Sequence, residues 1–75
     1  MKELITYIAE NLVDDRDAIR VNEYHQRRMM VYELTVAKDE TGRVIGREGK
    51  IANAMRTLLR VAGDRQDVRA VLEIN

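Results

Sequence analysis

Apolar residues recur near the start of the chain at the spacing of an amphipathic α-helix. These positions are Leu4, Ile5, Ile8, Ala9, Leu12 and Val13. Polar residues lie between them, so one side of such a helix is apolar and the other is polar. We therefore predict a helix from Lys2 to Val13. Residues 14–17 are expected to end it, because their repeated aspartates favour turn and cap geometries.

After this turn the pattern changes to alternation of apolar and polar positions. The first alternating segment runs from Ala18 to Tyr24, and the second runs from Met30 to Ala37. A polar linker, residues 25–28, separates the two segments. Alternating segments joined by a short polar connection are typical of a β-hairpin.

Helical spacing returns in the second half of the chain. Asp39 is a candidate N-cap for a short helix that Gly46 would end. A longer helix is predicted from about Lys50 to Ala62, with Gly63 as the residue just beyond its end. The segment from Val68 to Ile74 alternates again and completes the order α-β-β-α-α-β.

This order predicts an α+β fold with two layers. Helices with one apolar face and strands with one apolar face are buried by packing the helices on one side of a three-stranded mixed sheet. The opposite face of the sheet is left partly open. We expect residues 31–37 to run parallel to residues 68–74, because the two intervening helices provide a right-handed crossover. A chain of 75 residues is expected to form one domain, residues 1–75.

The distribution of charge changes this picture more than the total charge does. The 13 basic and 13 acidic side chains cancel. Residues 1–17 have a net charge of −3, whereas residues 43–60 contain five basic residues and one acidic residue, a net charge of +4. Such a segment can attract an anion locally without making the whole protein basic.

The basic segment contains two glycines three positions apart, Gly46 and Gly49, between the two predicted helices. Without side chains, these residues permit a tight turn in which phosphates can approach the peptide N–H groups. The following helix adds the positive end of its dipole and its unpaired amides at the same point. Arg47 and Lys50 add full positive charges. The arrangement can hold a phosphodiester backbone and leave the bases free to turn toward an adjacent groove.

Two segments around this loop, VAKDETGRVIG (Val36–Gly46) and GKIANAMRTLL (Gly49–Leu59), resemble the KhpA family of small bacterial single-KH-domain proteins. The resemblance extends over nearly the whole chain. It implies a type II KH fold and a Gly-x-x-Gly loop that clamps about four nucleotides of single-stranded RNA. It also implies a cytoplasmic RNA chaperone or post-transcriptional regulator, without enzymatic activity, linked to cell-envelope homeostasis and cell length. The expected partner is a second copy of the chain or a larger KH-containing protein.

The candidate RNA-binding residues are Arg43, Val44, Ile45, Gly46, Arg47, Glu48, Gly49, Lys50, Asn53 and Arg56. Glu48 places a negative charge in the clamp, where it either weakens phosphate binding or pairs with a neighbouring arginine and points outward. Arg56 and Arg60 are expected to form an exposed ridge rather than a specific reader of bases. Tyr24 is a candidate base-stacking platform with a weaker case.

Other functional classes have little support in the sequence. The chain has no cysteine and one histidine, His25, so it offers no thiol nucleophile and no zinc-ligand pattern. We expect no cofactor, no metal and no catalytic residue. No apolar stretch reaches the roughly 18 residues of a membrane span, so we expect no membrane association and a cytoplasmic location. The alternative function is a protein-interaction module of a ribonucleoprotein or ribosome-associated complex, in which the glycine loop is only structural.

Overall fold

The computed structural model describes all residues from Met1 to Asn75, and its element order is the predicted α-β-β-α-α-β. Short 3₁₀ turns join several of the elements. The helices and strands are α1 (Lys2–Glu10), β1 (Arg20–Gln26), β2 (Met29–Thr35), α2 (Thr41–Ile45), α3 (Lys50–Arg65) and β3 (Arg69–Ile74).

The three strands form one mixed sheet in the order β1-β2-β3. β1 and β2 are the predicted antiparallel hairpin, in which Tyr24 lies opposite Val31. β2 and β3 run parallel, as predicted, and Val31 lies beside Val71. β2 is therefore the central strand, and both β1 and β3 have a free edge.

The core lies between the helices and one face of the sheet, so the predicted two-layer arrangement is confirmed. Its buried members are Ile5, Ala9, Val13, Val21, Tyr32, Leu34, Val36, Val44, Met55, Leu59 and Leu72. On the opposite face of the sheet, Val31 is only 3 % exposed although no helix covers it. It lies between Tyr24 on β1 and Val71 on β3, so neighbouring strands shield it from water.

The two faces of the sheet place their tyrosines in different surroundings. Tyr32 packs in the core, and burial raises its pKa to about 12, with the carboxylates of Glu23 and Glu3 acting in the same direction. Tyr24 lies on the open face, where partial burial and then the negative charges of Glu33 and Glu73 raise its pKa. The open face is thus acidic around Tyr24.

The ends of several elements differ from the predictions. α1 ends at Glu10 rather than at Val13, and the N–H groups of Leu12 and Val13 both donate to the carbonyl of Ala9 in a closing turn. Val13 is buried all the same, because the turn directs it into the core. This explains why the apolar periodicity extends past the helix.

The strands of the hairpin are also shifted. β1 begins at Arg20, because Ala18 belongs to a 3₁₀ turn, and it extends through Gln26. β2 begins at Met29, so the polar linker is only two residues long, residues 27–28. The pairing of β1 with β2 therefore includes His25 and Gln26, which the sequence pattern assigns to the polar linker.

The prediction that Asp39 is the N-cap of α2 is wrong. A 3₁₀ turn occupies Lys38–Glu40, α2 begins at Thr41, and no side chain forms a cap hydrogen bond at its first turn. Glu40 occupies the N-cap position, but its carboxylate is bonded elsewhere in the fold, as described below. The end of α2 at Gly46 is confirmed.

The assignment of Gly63 to the residue beyond α3 is also wrong, because α3 continues through Arg65 and Gly63 is buried inside it. A Cβ at this position would lie 2.6 Å from the carbonyl oxygen of Val68 and 3.3 Å from the Cβ of Ala70. Gly63 is required here because the start of β3 passes close to the helix backbone, not because the helix ends.

Candidate nucleic-acid interface

The loop between α2 and α3 is a compact turn built on left-handed backbone conformations. Gly46 has φ +80°, Glu48 has φ +57° and Gly49 has φ +75°. The N–H of Gly49 donates to the carbonyl of Gly46 at 3.1 Å. Glycine adopts positive φ without the steric cost that a Cβ imposes, so both glycines are needed for this turn.

The two glycines of the loop have different surroundings. A Cβ on Gly46 would lie 2.7 Å from Cγ1 of Ile51, because the Ile51 side chain packs against the turn. A Cβ on Gly49 would meet only the Nδ2 of Asn53, at 3.7 Å. The outer side of the loop at Gly49 is therefore open, and the Asn53 amide lies next to it.

The start of α3 lies next to this open side, and the backbone N–H groups of Gly49 and Lys50 donate to the carbonyls of Gly46 and Arg47 in a 3₁₀ turn. Gly49 is the N-cap residue of the 16-residue helix, and no side chain forms a cap hydrogen bond there. The first amides of a helix lack partners within the helix and carry the positive end of its dipole. Arg47 and Lys50 beside them are exposed, and neither takes part in an ion pair. The loop is therefore a cationic site whose two exposed basic side chains have no carboxylate partner.

Glu48 is exposed at the tip of the loop and forms no ion pair. The interpretation that it pairs with a neighbouring arginine is therefore wrong. Its negative charge lies between Arg47 and Lys50 in the chain, so it reduces the positive potential of the loop.

Two of the predicted site residues have a structural role: the exposed Arg43 is paired with carboxylates, and Val44 is buried. Arg43 forms ion pairs with Asp14 at 3.1 Å and with Glu40 at 3.4 Å. Val44 is fully buried in the core. Ile45 is partly exposed at the end of α2. We therefore exclude the Val44 side chain from the candidate interface and assign Arg43 to a structural network.

Glu40 is the centre of this network, and sequence reasoning missed it. The residue is only 6 % exposed, and its two carboxylate oxygens accept hydrogen bonds from the backbone N–H groups of Asp14 and Asp15. These bonds tie the connection after α1 to the start of α2. Glu40 thereby fixes the helix that leads into the loop, and no local pattern could reveal this, because its partners lie about 25 positions away.

A groove extends from the loop between α3 and β3. The α3 side chains that line it include Asn53, Arg56, Thr57 and Arg60, and β3 contributes Ala70, Val71 and Leu72. Arg28 and Arg69 line its far end together with Asp64 and Asp67. The predicted residues Asn53 and Arg56 are thus brought together. Sequence reasoning missed the β3 wall, because the apolar alternation of β3 carried no sign of which edge faces a ligand.

Arg56 is exposed, as predicted, and its guanidinium also reaches across this groove to β3. Its Nη2 donates to the carbonyl oxygen of Leu72 on β3, and its Nη1 donates to Oδ1 of Asn53, both at 3.4 Å. The Thr57 hydroxyl donates to the Asn53 carbonyl at 3.0 Å. Hydrogen bonds made by Arg56 and Thr57 therefore fix the positions of the side chains in the middle of the groove.

The electrostatic character of the groove differs from that of the open sheet face. Four arginines line the groove, and among them only Arg28 has a carboxylate partner, Asp67 at 3.9 Å. Tyr24 lies on the opposite edge strand, beside Glu33 and Glu73, so the structure does not bring it together with the loop. A polyanion would be attracted to the groove and repelled from the acidic sheet face.

Comparison with known proteins places this architecture in a family. A family model described as KhpA/KhpB, KH domain, matches residues 2–74. The chain belongs to this KH-domain family. Its α+β fold, with a helix and a hairpin before the helix–loop–helix and the last strand, is the type II KH arrangement.

Several relatives within the KhpA/KhpB family share nearly the full length of the chain, and each is named RNA-binding protein KhpA. The protein of Caldanaerobacter subterraneus subsp. tengcongensis is 45% identical over 74 residues, which cover 99% of each chain. That of Chlamydia pneumoniae is 45% identical over 99% of this chain and 95% of its own. That of Aquifex aeolicus is 42% identical over 99% and 94%. No solved structure matches the chain.

None of the helices combines the length and hydrophobicity needed to cross a bilayer.

Proposed function

We propose that this chain binds single-stranded RNA as one KH domain, with the loop Gly46–Gly49 on the phosphate backbone and the bases in the groove between α3 and β3. The observation that carries the proposal is the open side of the loop, where Gly49 leaves the backbone uncovered at the start of α3 beside the exposed Arg47 and Lys50. The KhpA relatives, each named an RNA-binding protein, support the choice of RNA.

The proposed site acts by binding alone. Backbone amides and a helix N-terminus neutralise one or two phosphates without reading sequence. Bases released from stacking turn toward the groove, where one wall carries arginine side chains and the other is a strand edge. A KH loop of this kind holds about four nucleotides, so a single domain gives modest affinity.

The modest affinity of one domain supports action in a pair. We infer that the protein works in the cytoplasm as an RNA chaperone or post-transcriptional regulator, as a homodimer or with a larger KH-containing partner. Leu58 and Val61 on α3 are 51 % and 49 % exposed and lie outside the groove lining, so they offer an apolar contact surface. Joining two modules raises affinity through effective concentration.

Fluorescence anisotropy with labelled RNA of about eight nucleotides, roughly twice the length that one loop clamps, tests the proposal. The informative variant is Arg47→Ala/Lys50→Ala, because both side chains are exposed and their loss leaves the core intact. We expect affinity to fall at least tenfold. The slope of log affinity against log salt should become shallower by about 1.4, since each lost phosphate contact removes about 0.7 for single strands.

Lys2→Ala/Lys38→Ala is the matched control, because it removes two exposed positive charges outside the loop and the groove. A Gly46→Asp/Gly49→Asp variant, checked for folding by circular dichroism, adds negative charge to the clamp itself. Equal RNA binding by the folded loop variants and the wild type would defeat the proposal. It would leave the protein-interaction module, with a purely structural loop, as the remaining function.

A further inference from the structure

The edge of β3 faces the groove with a regular set of backbone groups. The N–H of Arg69 donates to the carbonyl of Arg28 at 2.7 Å, and the N–H of Asn75 donates to that of Leu34 at 2.9 Å. In a parallel ladder the N–H and C=O of one residue point to the same side, and successive residues alternate between sides. The odd-numbered residues of β3 therefore bond to β2, whereas Ala70 and Leu72 direct their backbone groups outward.

Leu72 would on its own offer a base one donor and one acceptor, its N–H and its C=O. Arg56 changes this pair, because its Nη2 donates to the Leu72 carbonyl oxygen at 3.4 Å. The same guanidinium also donates to Oδ1 of Asn53, one turn earlier on α3. A guanidinium has five N–H donors and no acceptor, so donors remain that can point into the groove.

The result is a wall on which two donors lie side by side, the Leu72 N–H and the Arg56 guanidinium. Cytosine presents two adjacent acceptors, N3 and O2, and guanine presents O6 and N7. Adenine and uracil instead place a hydrogen-bond donor next to an acceptor on the base edge that would contact this wall. Their donor would face the guanidinium and remain unpaired, which costs binding free energy.

We propose that Arg56 is a specificity-determining residue that makes the groove select a base with two adjacent acceptors, cytosine or guanine, over adenine and uracil. This inference rests on the proposed RNA-binding function of the same groove. Arg60 lies one turn further along α3 and lines the groove as well, but it forms no hydrogen bond to the strand. Arg60 therefore contributes positive charge without altering the donor and acceptor pattern at Leu72.

Competition binding with octamers of uracil that carry a single internal cytosine, guanine or adenine tests this role. The uniform background lets the strand slide until the preferred base occupies the groove. For the wild type we expect the cytosine and guanine octamers to bind at least about fivefold more tightly than all-uracil RNA, and the adenine octamer to show no gain.

Arg56→Met frees the Leu72 carbonyl while keeping an unbranched side chain, so the advantage of cytosine and guanine should disappear. Arg60→Met is the matched control, since it removes the same charge from the same wall. It should weaken binding of all octamers in parallel and preserve the order of preference. Denaturation of both variants in urea checks that α3 remains folded.

The outcomes separate this inference from the function on which it rests. If the wild type binds the adenine octamer as tightly as the cytosine and guanine octamers, or if Arg56→Met keeps the original preference, Arg56 does not determine specificity, although RNA binding stands. If the wild type binds none of the octamers, the proposed function fails and this inference fails with it.

Discussion

The two ends of α3 use glycine in opposite ways. At its first turn, Gly49 has a positive φ, and a Cβ there would meet only the Asn53 amide, at 3.7 Å. Near its last turn, Gly63 lies inside the helix, and a Cβ would lie 2.6 Å from the Val68 carbonyl oxygen. One glycine keeps a surface accessible, and the other lets two backbones approach each other.

The hydrogen bonds at the two ends differ in the same way. The carbonyl of Gly63 accepts from the N–H groups of Gln66 and Val68, both at 2.9 Å, so the chain entering β3 is fixed to the helix. At the other end, no side chain caps the first amides. The closed end therefore holds β3 beside α3, and we expect it to set the width of the groove, whereas the open end leaves the loop backbone and its basic side chains accessible to a ligand.

The largest effect is expected from closing the gap that Gly63 leaves. In Gly63→Ala the new methyl group must push the Val68 backbone away from α3, and because the atom it meets is backbone, the overpacking cost lies at the upper end of about 1–3 kcal/mol. Alanine also gains about 1 kcal/mol in helix propensity over glycine. We expect a net loss of roughly 2 kcal/mol in the free energy of unfolding, measured by urea denaturation followed by circular dichroism.

Gly63→Ala should also change the binding site at a distance, because the groove wall begins at Val68. RNA affinity is expected to fall even though the loop is untouched. An unfolding midpoint equal to that of the wild type would mean that β3 can shift without cost, and the closed end would then not set the groove width.

A smaller loss is expected from the network that positions α2 before the open end. In Glu40→Gln one of the two backbone N–H groups, of Asp14 or Asp15, would face an amide N–H₂ instead of an oxygen. Leaving one partly buried donor unsatisfied costs near the lower end of about 1–3 kcal/mol, and the ion pair with Arg43 is lost as well. We expect the free energy of unfolding, measured by urea denaturation, to fall by about 1.5 kcal/mol.

Glu48→Gln is the control for this change, since Glu48 is exposed and unpaired. Exposed substitutions of this kind usually alter stability by less than 0.5 kcal/mol. Its RNA affinity should rise slightly, because a negative charge leaves the clamp. Equal stability of the two glutamine variants would contradict the role assigned to Glu40.

Much of this fold follows from local pattern. The order of the elements, the hairpin and the parallel pairing of β2 with β3 were predictable because amphipathic periodicity reports which face each element buries. The position of the loop was predictable because Gly46 and Gly49 both need the backbone freedom of glycine at positive φ. The uncapped start of α3 then follows from the same residues.

The parts that could not be predicted depend on residues distant in sequence. Glu40 looks like a helix-start residue until its partners, 25 and 26 positions earlier, are in place. Gly63 looks like a helix stop until Val68 is seen to pass beside it. Arg56 looks like a surface arginine because Leu72, its acceptor, lies 16 positions away on the strand that forms the groove. Local pattern identified the candidate loop but not the wall opposite α3.

The smallest effect, and the sharpest test of the open end, is expected from adding one methyl group to Gly49. In Gly49→Ala the Cβ fits sterically, but its left-handed backbone conformation costs about 1 kcal/mol for a residue other than glycine. Gly42→Ala is the matched control, because nothing lies within 4 Å of a Cβ there and α2 should gain up to about 1 kcal/mol. If the loop binds phosphates through its backbone, the methyl group of Gly49→Ala should also reduce RNA affinity in anisotropy titrations, by more than its small loss of stability can explain, whereas Gly42→Ala should bind as the wild type does. Equal affinity of both variants would show that phosphates do not approach the main chain at Gly49, and the difference between the two ends of α3 would then be one of packing alone.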